Sequence, residues 1–255
     1  MSVYDARFFE GQEGGSATSA RRIVPVIQDL IKPASVLDVG CGVGHWPAVF
    51  KSMGLAIAHG IDGPWVERSQ LKMNPSDFFT YDFAKASPPY AVDTGQRKYD
   101  LVISTEFLEH LDARMAAELV AFMCRLSDVV IVSAAAPGQG GTHHVNEQWP
   151  AYWADLFKAN GFVACDVLRP IVWNWPDLRY WYAQNMIAYF RQAVPAHVQK
   201  IAERNAVAAV NSPFPLLHPD ILVKKNDPST FSVRELLLAI AAKFSRFISG
   251  KRRSS

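Results

Sequence analysis

The residues best placed for chemistry are three glycines that follow an acidic residue at the end of a short apolar run. Asp38 lies in the run of residues 36–39, and Gly40, Gly42 and Gly44 alternate with small residues directly after it. This pattern predicts a buried strand that enters a tight turn before a helix. Because glycine has no side chain, a bulky ligand can lie directly against the main chain of such a turn.

Two classes of nucleotide ligand bind to a strand, a glycine turn and a helix. Dinucleotide sites use G-x-G-x-x-G and place a pyrophosphate at the helix N-terminus. Here Gly44 comes one residue too early for that pattern, and His45 stands in the third position. The pattern D-x-G-x-G-x-G, which includes Asp38, instead resembles motif I of the class I S-adenosylmethionine-dependent methyltransferases. In that family the turn backs the methionine part of the cofactor.

Acidic and aromatic residues follow the next apolar runs in an order typical of the same family. Asp62 ends the run of residues 56–61, and a carboxylate there can accept both hydrogen bonds of a ribose diol. Asp82 resembles the family's acid beside the adenine amino group, and Phe83 is the neighbouring ring. The resemblance implies S-adenosylmethionine as the cofactor. The residues predicted to bind it are Asp38, Gly40, Cys41, Gly42, Gly44, Asp62, Gly63, Asp82, Phe83, Ser104 and Glu106.

A glycine-rich segment after the fifth apolar run carries two adjacent histidines. Ligands of open α/β sheets bind beyond the carboxyl ends of the strands, so residues 135–149 and Glu106 should face the transferred methyl group. A hydroxyl acceptor must lose a proton, and histidine, with an ordinary pKa of about 6.5, can take it. We predict that His143 or His144 is the base and that Glu106 contacts the acceptor or the cofactor's amino group. Anchoring of the loop through backbone hydrogen bonds is the alternative role for the histidines.

Neighbouring polar and aromatic residues complete the predicted site. His143, His144 and Glu147 could hold a metal ion, but no second acidic cluster accompanies them, so we predict no metal. His110 is predicted to make structural hydrogen bonds. Aromatic walls suit sugar rings and flat acceptors. The predicted substrate-binding residues are Asn146, Trp149, Tyr152, Trp153 and Tyr182.

The segment of residues 135–153 resembles a subgroup of bacterial methyltransferases found among genes for surface glycans and secondary metabolites. That resemblance identifies the cofactor better than the acceptor. We predict methyl transfer to a hydroxyl of a small molecule or of a sugar or glycan precursor. Three alternatives stay open at this point: an N-methyltransferase of a small metabolite, a nicotinamide-dependent Rossmann oxidoreductase, and a cofactor-binding partner subunit without activity.

Alternating strand and helix patterns must position these side chains. We predict helices at residues 16–31, 45–53, 113–125, 149–160 and 195–210, and the last strands at 129–133, 162–168 and 179–190. The resemblance implies an α/β fold with a doubly wound, seven-stranded Rossmann-like sheet of order 3-2-1-4-5-7-6 and an antiparallel last strand. We expect strands six and seven to form a hairpin. The predicted domains are an N-terminal helical cap (1–32), a methyltransferase core (33–192) and a C-terminal helical extension (193–255).

Composition limits the choice of partners and location. With a net charge of +2 over 255 residues, the chain has no general electrostatic attraction to nucleic acid. Three distant cysteines and the lack of a signal pattern or of 18 consecutive apolar residues predict a cytoplasmic protein without a membrane span. A predicted last helix that begins at Ser232 has one apolar stripe. We expect it to pack on the body of the protein, with a homodimer contact or a membrane-surface helix as alternatives.

Overall fold

A computed structural model of the chain describes residues 6–83, 98–204, 213 and 215–221, with side chains from residue 14 onward. The chain divides into two compact units, Met1–Leu216 and Leu217–Ser255. Of the second unit, residues 217–221 are described. The predicted helix that begins at Ser232 lies outside the described residues.

Strands and helices alternate along the first unit. The strands are β1 Ser35–Val39, β2 Ile57–Asp62, β3 Phe78–Thr80, β4 Leu101–Thr105, β5 Val129–Ser133, β6 Phe162–Cys165 and β7 Ile187–Arg191. The helices are α1 Ala6–Ile31, α2 His45–Ser52, α3 Ala113–Leu126, α4 Pro150–Ala159, α5 Arg169–Val172, α6 Tyr180–Asn185 and α7 Ala196–Arg204. A 3-10 turn, Leu108–His110, follows β4.

The seven strands form one sheet of order β3-β2-β1-β4-β5-β7-β6, which confirms the predicted topology. β7 is antiparallel to both β5 and β6, and the other pairs are parallel. Every residue of β1 and β4 is buried, as expected for parallel strands covered on both faces. The strand order reverses between β1 and β4, and the carboxyl ends of these strands therefore form the expected ligand crevice.

Two hydrophobic cores lie on opposite faces of this sheet. Val36 packs with α1 and α2, whereas Leu37, the next residue of β1, packs with α3 and α4. This alternation follows from the twofold side-chain period of a strand. The helices thus cover both faces, and the carboxyl edge of the sheet is left for the site.

Helix α1 begins ten residues before the predicted start at Ser16. The helix therefore continues through Gly14 and Gly15, at which the sequence had suggested that it would not yet have begun. A glycine within a helix costs only about 1 kcal/mol relative to alanine, so packing can outweigh it. Ala20, Ile23 and Ile27 supply that packing, because they are fully buried in the hydrophobic core that also contains Val36.

The prediction for the last two strands was partly wrong. β6 ends at Cys165 rather than at residue 168, and the segment predicted as one strand, 179–190, begins as helix α6 before β7. The strands pair antiparallel as predicted, but α5 and α6 separate them, so they do not form a hairpin. The physical reason is tertiary: Arg169 donates to the backbone carbonyl of Gln184 at 3.3 Å and holds the helical turn despite its aromatic, strand-favouring composition.

Candidate functional site

The glycine turn after β1 has a backbone that favours glycine. Gly40, Gly42 and Gly44 have φ values of 77°, 53° and 86°, all in the left-handed region. A Cβ on Gly40 would lie 2.1 Å from the ring of Phe107. The N–H of Gly40 donates to the carbonyl of Ile61 at 2.9 Å, so the turn is fixed to the end of β2.

Asp62, at the end of β2, joins this turn through its side chain. One carboxylate oxygen accepts from the N–H of Gly42 at 2.7 Å, and the other accepts from the N–H of Gly63 at 2.6 Å. The residue is 5% exposed, and burial raises its pKa to about 6. The Trp65 side chain also hydrogen-bonds to this carboxylate and favours its ionised form. Since an ionised carboxylate has about four acceptor positions and the backbone takes two, Asp62 can accept from a ligand diol that displaces Trp65.

Asp38 lies beneath the glycine turn, in the interior of the protein, and does not line the cleft described below. It is fully buried in β1, and neither carboxylate oxygen has a hydrogen-bond partner among the described residues. Burial, with the charge of Asp62 as a smaller cause, raises its pKa well above the ordinary value. Burial likewise raises the pKa of the Cys41 thiol, which favours the unreactive thiol form.

A cleft of about 900 Å³, open mouth included, lies against the glycine turn. Its walls come from α1, the glycine turn, the start of α2, the segments at and after the ends of β2, β3 and β4, and α6. None of the described residues that line it is a lysine or an arginine. The lining consists of Ser16, Gly40, Cys41, Gly42, Val43, His45, Trp46, Asp62, Trp65, Phe83, Thr105, Glu106, Phe107, His110, Leu111 and Tyr182.

Glu106, directly after β4, is the second carboxylate of the cleft. It has φ of 50°, a strained conformation for a residue other than glycine. Its carboxylate accepts from Ser133 Oγ at 2.8 Å, Gln139 Nε2 at 2.7 Å and Asn185 Nδ2 at 3.1 Å. Burial raises its pKa, and these three donors act in the opposite direction. Side chains from β4, β5, the following loop and α6 therefore fix this carboxylate in place.

The structure brings only part of the predicted site to the cleft. Of the predicted substrate-binding residues, Tyr182 lines the cleft. The predicted cofactor residues that line it are Gly40, Cys41, Gly42, Asp62, Phe83 and Glu106. Ser104 instead donates to the backbone carbonyl of Val39, and Trp153 is buried in the core with α3. The predicted residues that do not line the cleft are Asp38, Gly44, Gly63, Asp82, Ser104, His143, His144, Asn146, Trp149, Tyr152 and Trp153.

His110 lines the cleft, although the sequence suggested only a structural role. Its Nδ1 donates to the backbone carbonyl of His143 at 3.3 Å, and burial lowers its pKa to about 4. His110 belongs to the sequence Glu-Phe-Leu-Glu-His-Leu of residues 106–111, which begins where β4 ends, and this position is the signal that could have identified it. Ser16 and Trp46 carry no comparable signal, because helix packing alone brings them to the cleft.

The histidine loop after β5 is tied to the 3-10 turn. The N–H groups of Val145 and Asn146 donate to the backbone carbonyl of Glu109 at 2.9 and 3.0 Å. His143 is exposed and has φ of 56°. His144 is partly buried, and its Nδ1 lies 3.0 Å from Glu147 Oε1. The two adjacent histidines therefore have different environments.

Glu109 has a fully buried carboxylate beside this loop, and within residues 14–83 and 98–204 neither of its oxygens has a hydrogen-bond partner. Burial is the main cause that raises its pKa well above the ordinary value, and the charge of Glu106 adds to it. The backbone N–H groups of Glu109 and Ala135 favour its ionised form without reaching hydrogen-bond geometry.

Comparison with known proteins identifies the fold and one family. A family model described as a methyltransferase domain matches residues 17–164. Comparison with curated protein sequences gives no match. Within the described residues, no helix has the length and apolar character needed to cross a membrane.

Two solved structures resemble the chain over most of its length. Magnesium protoporphyrin IX methyltransferase from Synechocystis PCC 6803, with bound S-adenosylhomocysteine, is 18% identical, with a TM-score of 0.50 over 69% of this chain and 84% of that chain. CalS10, an amino pentose methyltransferase from Micromonospora echinaspora, is 14% identical, with a TM-score of 0.52 over 75% and 97%. At these identities the likeness establishes the fold.

Proposed function

The chain belongs to the methyltransferase-domain family, and on this premise we propose that it transfers a methyl group from S-adenosylmethionine to a hydroxyl of a small molecule or of a sugar or glycan precursor. The observation that carries the proposal is the pairing of the left-handed glycine turn with Asp62. The turn exposes bare backbone to the cleft, and Asp62 ends the neighbouring strand, where a ribose diol can be bound.

The charge of the cleft supports a sulfonium cofactor over a dinucleotide. Asp62 and Glu106 line it, and no described lysine or arginine does. The N-terminus of α2 borders the cleft and could bind a pyrophosphate, but the two carboxylates would repel that anion. A sulfonium cation, by contrast, is attracted by carboxylates and by aromatic ring faces. Trp46 and Tyr182, whose ring centroids lie 5.5 Å apart, supply such faces.

Glu106 is the group that we assign to the acceptor hydroxyl. Ser133, Gln139 and Asn185 occupy three of its roughly four acceptor positions, so one remains for a hydroxyl proton. β4 lies across β1 from β2 in the sheet, so Glu106 and Asp62 approach the cleft from opposite sides of the glycine turn. The ribose and the acceptor would accordingly occupy opposite ends of the cleft. Of the three residues predicted as catalytic, Glu106 is the one that lines the cleft.

The proposal is tested by offering S-adenosylmethionine with a labelled methyl group to panels of nucleotide sugars, glycan precursors and small alcohols and amines. We expect labelled product from a hydroxyl acceptor, with the methyl group on oxygen by mass spectrometry and NMR. Transfer only to amines would contradict the O-methyl assignment. Reduction or oxidation of acceptors with a nicotinamide cofactor, and no methyl transfer, would overturn the proposal.

A further inference from the structure

Three donor groups from two separate segments converge beside the cleft. Glu109 and His110 belong to the 3-10 turn after β4, and His144 belongs to the loop after β5. One donor atom of each residue lies within 4.8 Å of the other two. His144 Nε2 is 4.0 Å from Glu109 Oε1, and the two imidazole rings pack edge to face with centroids 4.9 Å apart.

Glu109 lacks the partners that a buried carboxylate normally has. Its side chain is 0% exposed, and no group in the described part of the chain is in hydrogen-bond geometry with either oxygen. The His144 nitrogen, at 4.0 Å, is beyond hydrogen-bond distance. Buried charges in proteins are paired or coordinate a metal, since an uncompensated one is costly. A cation between Glu109 and the imidazoles would compensate this carboxylate.

His144 is oriented as a metal ligand would be. Its Nδ1 lies 3.0 Å from Glu147 Oε1, and a carboxylate only accepts, so the neutral ring carries its proton on Nδ1 and a lone pair on Nε2. The N–H groups of Gly138 and Gly140 hold Glu147 at 2.7 and 2.8 Å. A Cβ at Gly141 would lie 2.2 Å from Nε2, so the close approach of this loop to the ring requires glycine. Such carboxylate-to-histidine support is typical of metal sites.

We propose that Glu109, His110 and His144 bind one first-row divalent metal ion, with Zn²⁺ as the reference ion. Two imidazoles and a carboxylate form the ligand set of zinc sites that keep one position open. Donors bound at about 2.0–2.2 Å to a tetrahedral ion lie roughly 3.3–3.6 Å apart, so the cluster must close by about 1 Å. This set differs from the set of His143, His144 and Glu147 considered from the sequence, where no metal was predicted.

The position of the cluster suggests its use. His110 belongs both to the cluster and to the lining of the cleft, so the ion would lie at the end of the cleft near Glu106. An acceptor oxygen in the open position would have its pKa lowered, which aids deprotonation. This use rests on the proposed function, whereas the metal site itself does not.

Metal binding by the full, untagged chain tests the proposal without cofactor or acceptor. After removal of metal with EDTA, calorimetry and elemental analysis should give one Zn²⁺ per chain and no binding of Mg²⁺, which disfavours imidazole. Glu109→Gln and His144→Gln should each weaken Zn²⁺ binding more than about 100-fold, and Glu147→Gln about 10–100-fold. Co²⁺ should give a visible spectrum without thiolate charge transfer, since the ligands are nitrogen and oxygen.

His143→Asn is the matched control. It removes the neighbouring exposed imidazole, and asparagine tolerates the left-handed conformation at this position. This variant should bind Zn²⁺ as the wild type does, and circular dichroism checks the fold of each variant. If Glu109→Gln does not fold, the Zn²⁺ affinity of His144→Gln decides the test, because His144 is only partly buried.

The proposal is overturned if the wild type binds no stoichiometric Zn²⁺ or if His144→Gln retains full affinity for Zn²⁺. It is also overturned if His143→Asn loses as much Zn²⁺ affinity as His144→Gln does. None of these results bears on methyl transfer. Conversely, a chain that binds Zn²⁺ and transfers no methyl group would contradict only the proposed function.

Discussion

At the scale of single residues, Glu106 and Asp62 are distinguished by how they are held. Glu106 accepts three side-chain hydrogen bonds in a strained backbone conformation, and Asp62 accepts two backbone N–H groups. Strain of this kind persists only where the surroundings enforce it, and it clusters at functional sites. Both carboxylates are therefore positioned before a ligand binds.

Replacement of Glu106 by glutamine should separate acceptor chemistry from cofactor binding. Glutamine keeps the size of the side chain but removes the basic carboxylate, so we expect kcat to fall about 10²–10⁴-fold. The dissociation constant of S-adenosylhomocysteine should stay near that of the wild type. Unchanged turnover would contradict the base assignment, and weakened cofactor binding with normal kcat would place Glu106 at the cofactor's amino group. Glu118→Gln, on the surface of α3, is the matched control.

Cofactor affinity should depend on pH through Asp62. Its pKa is raised to about 6 by burial, and the acids Asp38 and Asp82 and the Cys41 thiol lie around it. Only the ionised form can accept both ribose hydrogen bonds, so affinity should be constant above about pH 7 and fall about tenfold per unit well below pH 6. Titrations of S-adenosylhomocysteine from about pH 5 to 8 measure this. A profile equally steep in Asp62→Asn would assign the effect to another group.

At the scale of elements, α6 depends on a buried ion pair. Arg169 is 1% exposed, its Nε donates to Asp166 at 2.9 Å and its Nη2 also contacts that carboxylate. It further donates to the carbonyl of Gln184, next to Asn185, which donates to Glu106. The ion pair thus connects β6 and α5 to the carboxylate of the cleft.

Arg169→Met should lower the free energy of unfolding by about 3–5 kcal/mol, because it leaves Asp166 buried without a partner. It should also lower kcat, since Asn185 loses its fixed position. Urea unfolding measures the first effect. The exposed i,i+4 pair of Arg114 and Glu118 gives a comparison: Arg114→Gln should cost no more than about 0.5 kcal/mol. A cost below about 1 kcal/mol for Arg169→Met would contradict this role.

Elements with strong local signals could be predicted from the sequence, and those held by tertiary contacts could not. β5 has the predicted bounds, because a β-branched run with a buried face determines it locally. α6 was predicted as strand, because the bonds of Arg169 that hold it are not visible in the local sequence. The same holds for the site. The glycines and Asp62 follow a motif, whereas Glu109 meets His144 only through the loop bonds of its own carbonyl.

At the scale of the whole molecule, ligand binding should stabilise the fold that builds the cleft. The lining residues come from α1, from the start of α2, from the carboxyl edge of the sheet and from α6, so a cofactor bound there would contact segments spread from residue 16 to residue 182. Binding to the folded state alone adds about 2.7 kcal/mol at a ligand concentration of 100 times Kd.

S-adenosylhomocysteine at that concentration should therefore raise Tm by about 5–10 °C, at roughly 2–4 °C per kcal/mol for a chain of this size. Differential scanning calorimetry measures the shift. Asp62→Ala at the same ligand concentration should show a much smaller shift. An equal shift in that variant would indicate that the ligand binds elsewhere.

The most direct measurement is a calorimetric titration of S-adenosylhomocysteine and of NAD⁺ into the wild type, Asp62→Ala and, as a surface control, Asp155→Ala. Loss of two charge-assisted hydrogen bonds, each worth about 1.5–3 kcal/mol, should weaken S-adenosylhomocysteine binding to Asp62→Ala by about 100-fold or more. Asp155→Ala should bind it like the wild type, and NAD⁺ should give no heat of binding. Undiminished affinity in Asp62→Ala, or preferential binding of NAD⁺ by the wild type, would contradict the assignment of the cleft to an adenosyl sulfonium cofactor.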